Sequence, residues 1–378
     1  MYFKKYSPSF SSILIKAIVL ELSLEPKPGL ITPVSVNSHK DMDFFLMSDS
    51  HPLLYSYFEE FEKLCSKIFN ISDYLTVSEK NNSRIKETNE NYMENALFAL
   101  LKNNFATILS FCRKWELQLI ESTGYINTYK GIIFNFAVII LSVYFYKILV
   151  HTKSNDNLDL KKLQKITLKI GQTVVQLKNS TDSLPSATYG ARLRKNGIPG
   201  DILYQAENGY SICFDRAIIY GPLLKNFIYF KKNIRLHFKK KGIADSLKIQ
   251  INQTLYNIHK AVYMQVFFEI FTKALDGNIA GKKSVRINRD LQKYIEKLFK
   301  PELFITFINK ILHSDPISFI SNHRAISKEI GKFNNKTNQT NNLFIKLNVS
   351  PGGTADLFLI FLVLNDLHEQ FKNLILKF

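Results

Sequence analysis

One long apolar run, residues 132–150, limits what this chain can fold into. Lys147 is its only charged residue, so the run must be buried either in a protein core or in a lipid bilayer. Asn135 and Ser142 also interrupt its apolar character, which favours a buried core helix over a membrane span. A membrane protein anchored through residues 132–150 is the alternative.

Apolar residues elsewhere also recur at helical spacing. In residues 92–112 they follow one another at steps of three and four, which predicts an amphipathic helix with its apolar stripe in the core. Residues 13–24, 262–275 and 291–298 show the same pattern, and another apolar helix is predicted to begin near Thr354. Alternating polar and apolar stretches are scarce, and no GxGxxG motif occurs. The pattern therefore predicts a mostly α protein.

Length and composition bear on the domain organisation. At 378 residues and 46% hydrophobic composition the chain can bury a sizeable core, and no linker divides it. We therefore expect a single-domain multi-helix bundle over residues 1–378. Its long polar loops, rich in Asn, Ser, Thr and Lys, are predicted near residues 73–92, 151–159 and 331–342.

The formal net charge of +18 suits a ligand that carries phosphate, but it also suits a lysine-rich surface without function. Because the lysines are spread along the chain, we expect no nucleic-acid partner. The three cysteines, Cys65, Cys112 and Cys213, are far apart and lack the spacing of a zinc site or a disulfide framework. Residues 1–24 contain no signal-peptide pattern. These features predict a cytoplasmic protein without membrane attachment.

A turn near the N-terminus is suited to enclosing an anion. Its sequence is PKPGL, residues 26–30, and it stops the first predicted helix. Proline fixes the backbone and Gly29 can take a positive φ, so the chain turns sharply and Lys27 faces whatever the turn encloses. The alternative is an ordinary surface turn.

Four polar residues, His39, Lys40, Asp41 and Asp43, crowd the N-terminus of the next predicted helix. Unpaired backbone N–H groups and the helix dipole favour anions at such a position. Cations beside acids at a helix start suit a metal-bound nucleotide polyphosphate. The alternative is that the two aspartates only cap the helix.

A third cluster precedes the long apolar run. In NTYKG, residues 127–131, Asn127 and Thr128 can donate hydrogen bonds to a ribose or a phosphate. Lys130 stands at the start of the predicted apolar helix, where it is well placed for phosphate. A plain helix cap is the alternative, since Asn and Thr cap helices routinely.

The C-terminal segment SPGGTADL, residues 350–357, is the sharpest local signal. Gly352 and Gly353 let backbone N–H groups approach an anion closely. Thr354 and Asp356 can cap the following helix or hold a metal ion.

In this order, PKPGL, HKDMDFF, NTYKG and SPGGTADL resemble the motifs of the triphosphoribosyl-dephospho-CoA synthase family, over roughly residues 20–365. The family pattern begins with PKPGLVD and HxDM, continues with GVNTHKG and GEAEAGY, and closes with DTN…RGG and SPGGSADL. These enzymes make the prosthetic-group precursor for citrate lyase and malonate decarboxylase. The resemblance implies a mostly α fold in which residues 132–150 form a buried helix.

The resemblance implies a transferase that joins the ribose of ATP to the 2′-hydroxyl of 3′-dephospho-CoA. That hydroxyl attacks the anomeric carbon of the ATP ribose, adenine leaves, and the triphosphate is kept. Magnesium is the expected counterion, held by the phosphates and one or two carboxylates. ATP and 3′-dephospho-CoA are the implied partners, with prosthetic-group transfer machinery and an acyl carrier protein downstream.

The resemblance also implies roles for individual residues. Residues 205–210 resemble GEAEAGY, and residues 276–278 resemble DTN. The implied catalytic residues are Asp41, Glu207 as the base, and Asp356. The implied metal ligands are Asp41, Asp43, Asp276 and Asp356. The implied substrate and phosphate ligands are Lys27, Gly29, His39, Lys40, Asn127, Thr128, Lys130, Gly352, Gly353, Thr354 and Asn278.

Several positions depart from the family pattern where chemistry is concerned. Thr32 and Pro33 replace the Asp-Arg pair after the first motif, and Tyr129 replaces the histidine of NTHKG. Gln205 replaces the first acid of GEAE, and Lys282 stands where the pattern has the arginine of RGG, for which lysine is a poor geometric substitute. These changes predict either a divergent enzyme with a shifted substrate or a catalytically impaired paralogue that binds a nucleotide or CoA derivative without turnover.

Overall fold

The structure is a computed structural model that describes residues 9–69, 86–150, 158–181 and 189–371. Within these ranges the regular structure is helical, apart from an isolated bridge between Thr32 and Ser35. The predicted mostly α fold is therefore confirmed.

The helices are named here in chain order. They are α1 (Phe10–Ser23), α2 (Phe44–Asp49), α3 (His51–Ile68), α4 (Lys86–Asn103), α5 (Phe105–Ser122), α6 (Lys130–Val150), α7 (Leu160–Thr181), α8 (Tyr189–Lys195), α9 (Ile202–Glu207), α10 (Ser211–Lys241), α11 (Asp245–Lys273), α12 (Gly277–Lys282), α13 (Val285–Leu298), α14 (Pro301–Leu312), α15 (Pro316–Leu347) and α16 (Gly352–Gln370).

The apolar run forms α6, which lies among α3, α4, α5, α7, α9 and α16. Its polar interruptions are satisfied internally: the Asn135 side chain accepts a hydrogen bond from the Tyr210 hydroxyl (2.8 Å), and the Ser142 hydroxyl donates to the Val138 carbonyl (2.7 Å). By length and composition the segment Gly131–Val150 could also cross a membrane, but 78% of its most apolar window is buried inside the protein. This burial is what the core-helix interpretation predicts.

The second apolar helix, α16, begins at Gly352, two residues before the start that was predicted near Thr354. It packs against α1, α6, α10, α11 and α12. One hydrophobic cluster includes buried residues from Phe10 in α1 to Leu367 in α16. This continuity supports the single-domain organisation, which stays a prediction.

The stretch predicted as one helix over residues 92–112 is two helices, α4 and α5, separated at Asn104. The Asn104 side-chain amide donates a hydrogen bond to the Leu100 carbonyl (2.9 Å), in competition with the backbone pattern of a continuous helix. A loop was predicted near residues 73–92, but α4 already begins at residue 86, so the prediction is wrong for residues 86–92. Residues 73–85 lie outside the described residues. Most of the loop predicted at 151–159 also lies outside them.

The loop predicted at residues 331–342 is wrong, because these residues belong to α15. Ile330, Thr337, Thr340 and Phe344 are buried at helical spacing, and α15 packs on α11. The two threonine hydroxyls donate to the carbonyls four residues earlier, at 3.1 and 2.9 Å. Threonine can therefore occupy core positions of this helix, although the composition of the segment is typical of a loop.

The short helix α9 is held by a close approach to α7. A Cβ atom at Gly171 would overlap the Ala206 carbonyl oxygen and lie 3.4 Å from the Glu207 nitrogen. Since a side chain here would push the two backbones apart, glycine at this position permits the close packing of the C-terminal end of α9 on α7.

We predict that Gly171→Ala lowers the free energy of unfolding by about 1–3 kcal/mol, because the added methyl group overpacks the α7–α9 contact. The matched control is Gly331→Ala in α15, where an added Cβ meets nothing within 4 Å. This control should raise stability by about 0.5–1 kcal/mol through helix propensity. Urea unfolding measures both, and equal effects of the same sign would contradict the assignment.

Candidate active site

The Asp276 carboxylate joins the starts of two helices. Its Oδ1 atom accepts hydrogen bonds from the backbone N–H groups of Asn278 (3.0 Å) and Ile279 (3.1 Å) at the start of α12. Its Oδ2 atom accepts from the backbone N–H (2.7 Å) and the hydroxyl (2.9 Å) of Thr354 in the first turn of α16. Burial raises the pKa of Asp276, although these hydrogen bonds oppose the shift. Both oxygens are thus already used to hold two helix starts together.

The two glycines of the SPGG motif permit this approach. A Cβ at Gly353 would lie 3.3 Å from the Asp276 Oδ2 atom, and one at Gly352 would overlap the side-chain nitrogen of Asn278. Both glycines keep some accessible surface. The two glycines therefore let the Asn278 amide and the Asp276 carboxylate pack closely against the first turn of α16.

Asp356 lies beyond this turn on α16 and faces the start of α6. A Cβ at Gly131 would overlap the Asp356 Oδ2 atom and would lie 3.3 Å from the Ile202 side chain at the start of α9. Lost hydration, then the charges of Asp276 and Glu21, raise the pKa of Asp356 to about 8. Part of the residue nevertheless stays accessible.

The Asp356 carboxyl group therefore lies between the starts of α6, α9 and α16, and the region between these helix starts is named the recess. Among the described side chains, no donor is recorded at hydrogen-bond distance from the carboxyl group. A carboxyl group whose pKa is close to neutrality can gain or lose a proton at little cost, which is the property of a general acid or base.

The PKPGL turn packs on the segment that leads into α16. Gly29 has φ +70°, and a Cβ there would meet the Pro351 ring and the Phe344 side chain, each at 3.2 Å. The turn therefore lies beside the SPGG motif, although the two are far apart in sequence.

Lys27 is buried in this turn, with 2% of its surface exposed. Its Nζ atom lies 2.5 Å from the Glu21 Oε1 atom and 2.9 Å from the Glu21 carbonyl oxygen. Burial lowers the pKa of Lys27, while the Glu21 charge opposes the shift. A phosphate contact by Lys27 would require this ion pair to open, so we do not propose one.

His39 approaches the same region from the other side. Its Nε2 atom lies 2.8 Å from the hydroxyl oxygen of Ser350, the first residue of the SPGG motif. Burial lowers the pKa of His39; the Asp41 charge opposes this shift and the Lys282 charge adds to it. Asp41 and Lys282 therefore lie near His39 at the edge of the recess, and both are exposed, as is Lys40.

The NTYKG segment forms the remaining wall. The Thr128 hydroxyl lies 3.3 Å from that of Ser50, and Asn127 is exposed. Tyr129 is buried, and burial raises its pKa, as do the charges of Glu21 and Asp356. The Lys130 side chain lies outside the described part of the structure.

Two predicted site residues lie apart from the recess. Glu207 is exposed at the C-terminal end of α9, whereas Ile202 at the opposite end faces Asp356. Asp43 is exposed and caps α2, its Oδ1 atom accepting from the Leu46 N–H group (2.8 Å). We therefore no longer propose Glu207 as the base or Asp43 as a metal ligand.

No group of three or more His, Cys, Asp or Glu side chains in the described ranges is placed to hold a metal ion. Asp276 is used in capping, and Asp356 has a pKa near 8. Asp41 is exposed, and no hydrogen bond to its carboxylate is recorded in the described ranges. It fits a magnesium ion that the phosphates of a nucleotide carry, because Mg²⁺ needs only one or two protein carboxylates.

The sequence did not identify three residues near the recess as part of the site: Glu21, Asp201 and Arg194. Asp201 caps α9 by accepting from the Tyr204 N–H group (2.7 Å), and its Oδ2 atom lies 2.5 Å from the Arg194 Nη2 atom. An aspartate after Pro-Gly at a helix start is a capping signal that could have identified Asp201. The sequence around Glu21 and Arg194 carries no such signal.

The described ranges thus form a helical fold in which glycine-bearing helix starts meet at a buried carboxyl group. Residues 8–227, more than half of the chain, match the sequence model of the CitG family, described as ATP:dephospho-CoA triphosphoribosyl transferase. The chain belongs to this family, which confirms the resemblance.

Curated relatives agree at low identity. A probable 2-(5''-triphosphoribosyl)-3'-dephosphocoenzyme-A synthase of Streptococcus equi subsp. equi is 23% identical over 97% of this chain and 99% of the relative. The corresponding probable synthase of Streptococcus mutans is 21% identical over 98% of this chain and 99% of the relative. Protein CitXG of Leuconostoc mesenteroides subsp. cremoris is 27% identical over 54% of this chain, and the match spans only 37% of CitXG. No solved structure matches the chain.

At the level of the family, the chain is a transferase of prosthetic-group biosynthesis, and ATP and dephospho-CoA are the family's substrates. Nothing in these comparisons supports the alternative of a catalytically impaired paralogue. The family match ends at residue 227, whereas Asp276 and Asp356 lie beyond it. The fold brings them to the segments within the match, namely PKPGL and NTYKG.

We predict that Asp276→Ala lowers the free energy of unfolding by about 2–4 kcal/mol, because two helices lose a buried cap at once. Asp315→Ala is the matched control: Asp315 also accepts from two backbone N–H groups, but it is exposed and serves α15 alone. Its loss should cost clearly less than the loss of Asp276, because an exposed cap of a single helix is removed. Urea unfolding of the two variants tests the bridging role, and equal costs would argue against it.

The Asp356 carboxyl group predicts a pH-dependent stability. Its pKa of about 8 in the folded chain lies above its ordinary value of 3.8, so the folded state keeps a proton that the unfolded state releases. Stability should therefore fall as the pH rises from about 4 to about 8. The variant Asp356→Asn lacks this titrating group. The difference in thermal midpoint, variant minus wild type, should therefore be more positive at pH 8.5 than at pH 5. The control is Asp49→Asn, at an exposed position in α2. If the difference in thermal midpoint between Asp356→Asn and wild type is the same at both pH values, the raised pKa of Asp356 is refuted.

Proposed function

We propose that this chain is an active ATP:3′-dephospho-CoA 5-triphosphoribosyltransferase. It joins the ribose of ATP to the 2′-hydroxyl of 3′-dephospho-CoA and releases adenine. The observation that carries the proposal is that the starts of α6, α9 and α16 meet at the Asp356 carboxyl group.

The triphosphate binds at the helix starts around this recess. The first turn of α16 gives the Thr354 N–H group to Asp276, and its remaining N–H groups and the helix dipole favour negative charge at Gly352 and Gly353, which keep some accessible surface. His39, Lys40 and Lys282 add hydrogen-bond donors or positive charge at the edge. The start of α6, with Thr128 and Asn127 before it, contacts the ribose.

Magnesium enters with the nucleotide. The phosphates and Asp41 would hold it, and when bound it neutralises the triphosphate charge. Asp276 takes no part in binding the ion; it keeps the starts of α12 and α16 in register.

Asp356 is the general acid of the reaction. A carboxyl group with a pKa of about 8 is mostly protonated at neutral pH, so it can give its proton to adenine as the bond between the anomeric carbon and the base breaks. The new bond forms from the 2′-hydroxyl oxygen to the anomeric carbon, and the proton of this hydroxyl passes to water, so that the C–N bond broken and the C–O bond formed balance. The nearby negative charges of Asp276 and Glu21 stabilise the positive charge that develops on the ribose.

The test is to incubate the purified protein with ATP, 3′-dephospho-CoA and Mg²⁺, and to follow adenine by chromatography and the product by mass spectrometry. Adenine should appear only when both substrates are present. Binding of both nucleotides without adenine release would refute the proposal and favour the impaired paralogue.

We predict that Asp356→Asn lowers kcat at least about 100-fold, the range expected for loss of a general acid. The wild-type kcat/KM should fall as the pH rises above about 8, because the free enzyme then loses the proton. Asp366→Asn is the matched control, since this carboxylate lies on the same helix but pairs with Lys16 at 2.7 Å. An equal loss in both variants would contradict the catalytic role.

The setting of the enzyme remains part of this proposal. We propose one domain over residues 1–378, a cytoplasmic location, no nucleic-acid or membrane partner, and an acyl carrier protein downstream of the product. Burial of α6 in the core supports the absence of a membrane span. Partition of the full chain into the membrane fraction would count against it.

A further inference from the structure

A histidine lies beside the one motif position where the family pattern has a histidine and this chain does not. Tyr129 occupies that position, before the start of α6. The ring of His51, at the start of α3 and 78 residues away in sequence, lies 5.9 Å from the Tyr129 ring between centroids. The His51 Nε2 atom is 3.4 Å from the Tyr129 hydroxyl oxygen.

The start of α3 is held against the start of α6 on both sides of this pair. The Ser50 and Thr128 hydroxyl oxygens lie 3.3 Å apart, and the Tyr57 hydroxyl donates to the Ile133 carbonyl at 2.9 Å. These neighbouring contacts make the approach of His51 to Tyr129 a fixed feature of the α3–α6 packing.

Tyr129 lies near the recess, because Gly131, two residues further on, packs against the Asp356 carboxyl group. Tyr129 is 3% exposed, and the charges of Glu21 and Asp356 both act on its phenol. Burial raises the pKa of Tyr129 and lowers that of His51, so at neutral pH a phenol faces a neutral imidazole. A neutral imidazole has one nitrogen that accepts a hydrogen bond, and the phenol can donate to it.

We propose that His51 is a positioning residue that fixes the Tyr129 side chain at the start of α6 and so replaces, from a different helix, the imidazole that the family pattern carries at position 129. The contact of 3.4 Å tightens when substrates fill the recess, as catalytic hydrogen bonds commonly do. This inference rests on the proposed function.

The test compares adenine release by His51→Ala, His51→Gln, Tyr129→His and the double variant His51→Ala/Tyr129→His. His51→Ala should lower kcat about tenfold with little change in KM for either substrate. His51→Gln keeps an acceptor and should retain most of kcat. Tyr129→His should restore kcat in the His51→Ala background, because it returns an imidazole to the recess.

His313→Ala is the control, since His313 is exposed at the end of α14 and should leave kcat unchanged. An unchanged kcat in His51→Ala, or an equal loss in His51→Gln without recovery in the double variant, would overturn the inference. Either result leaves the wild-type activity, and hence the proposed function, intact.

A second measurement does not depend on turnover. The nitrogen chemical shifts of His51, followed by NMR, should change in Tyr129→Phe, because that variant removes only the hydroxyl. Unchanged shifts would overturn the inference even if the enzyme is active. If the wild-type protein binds ATP but releases no adenine, the proposed function fails. In that case the inference stands only if the His51 shifts respond both to Tyr129→Phe and to ATP, and it is overturned if they do not.

Discussion

The candidate site depends on one buried carboxylate that serves two helices. Asp276 accepts hydrogen bonds from the first turns of α12 and α16, which places the SPGG motif beside the end of α11. Without its four donors, a carboxylate this deeply buried would be costly. The two helix starts therefore have to stay together, and the recess between α16 and α6 keeps its shape before any ligand arrives.

The same packing creates the chemistry of Asp356. This side chain is close to two other acids, Asp276 and Glu21, and it has lost much of its hydration. Each of these effects favours the protonated form, so a residue that would be an ordinary anion on a surface becomes an acid that titrates near neutrality. Gly131 permits the approach, because any side chain at that position would collide with the carboxyl group. Two aspartates on the same cluster of helices thus differ: Asp276 caps two helices, whereas Asp356 is the one for which we propose a catalytic role.

Some predictions from the sequence disagree with the structure, and each disagreement has a physical reason. Lys27 was expected at a phosphate, but a buried ammonium group needs a counter-charge, and Glu21 of α1 supplies it inside the turn. Residues 331–342 were expected to be a loop from their Asn and Thr content, yet the buried spacing of Thr337 and Thr340 places them on the core face of α15. Composition describes what a segment prefers alone, whereas the packing partner decides which preference is satisfied.

The sequence by itself determined the helical class, the buried helix over the apolar run, the family, and the motifs that would supply the site. These follow from local properties: apolar spacing, turn residues, and the order of short motifs. Only the tertiary structure decided which of the acids is structural, which is protonated, and that His51 lies next to Tyr129. Hydration, charge proximity and contacts across 78 residues or more of chain depend on how helices pack, so no local pattern could specify them.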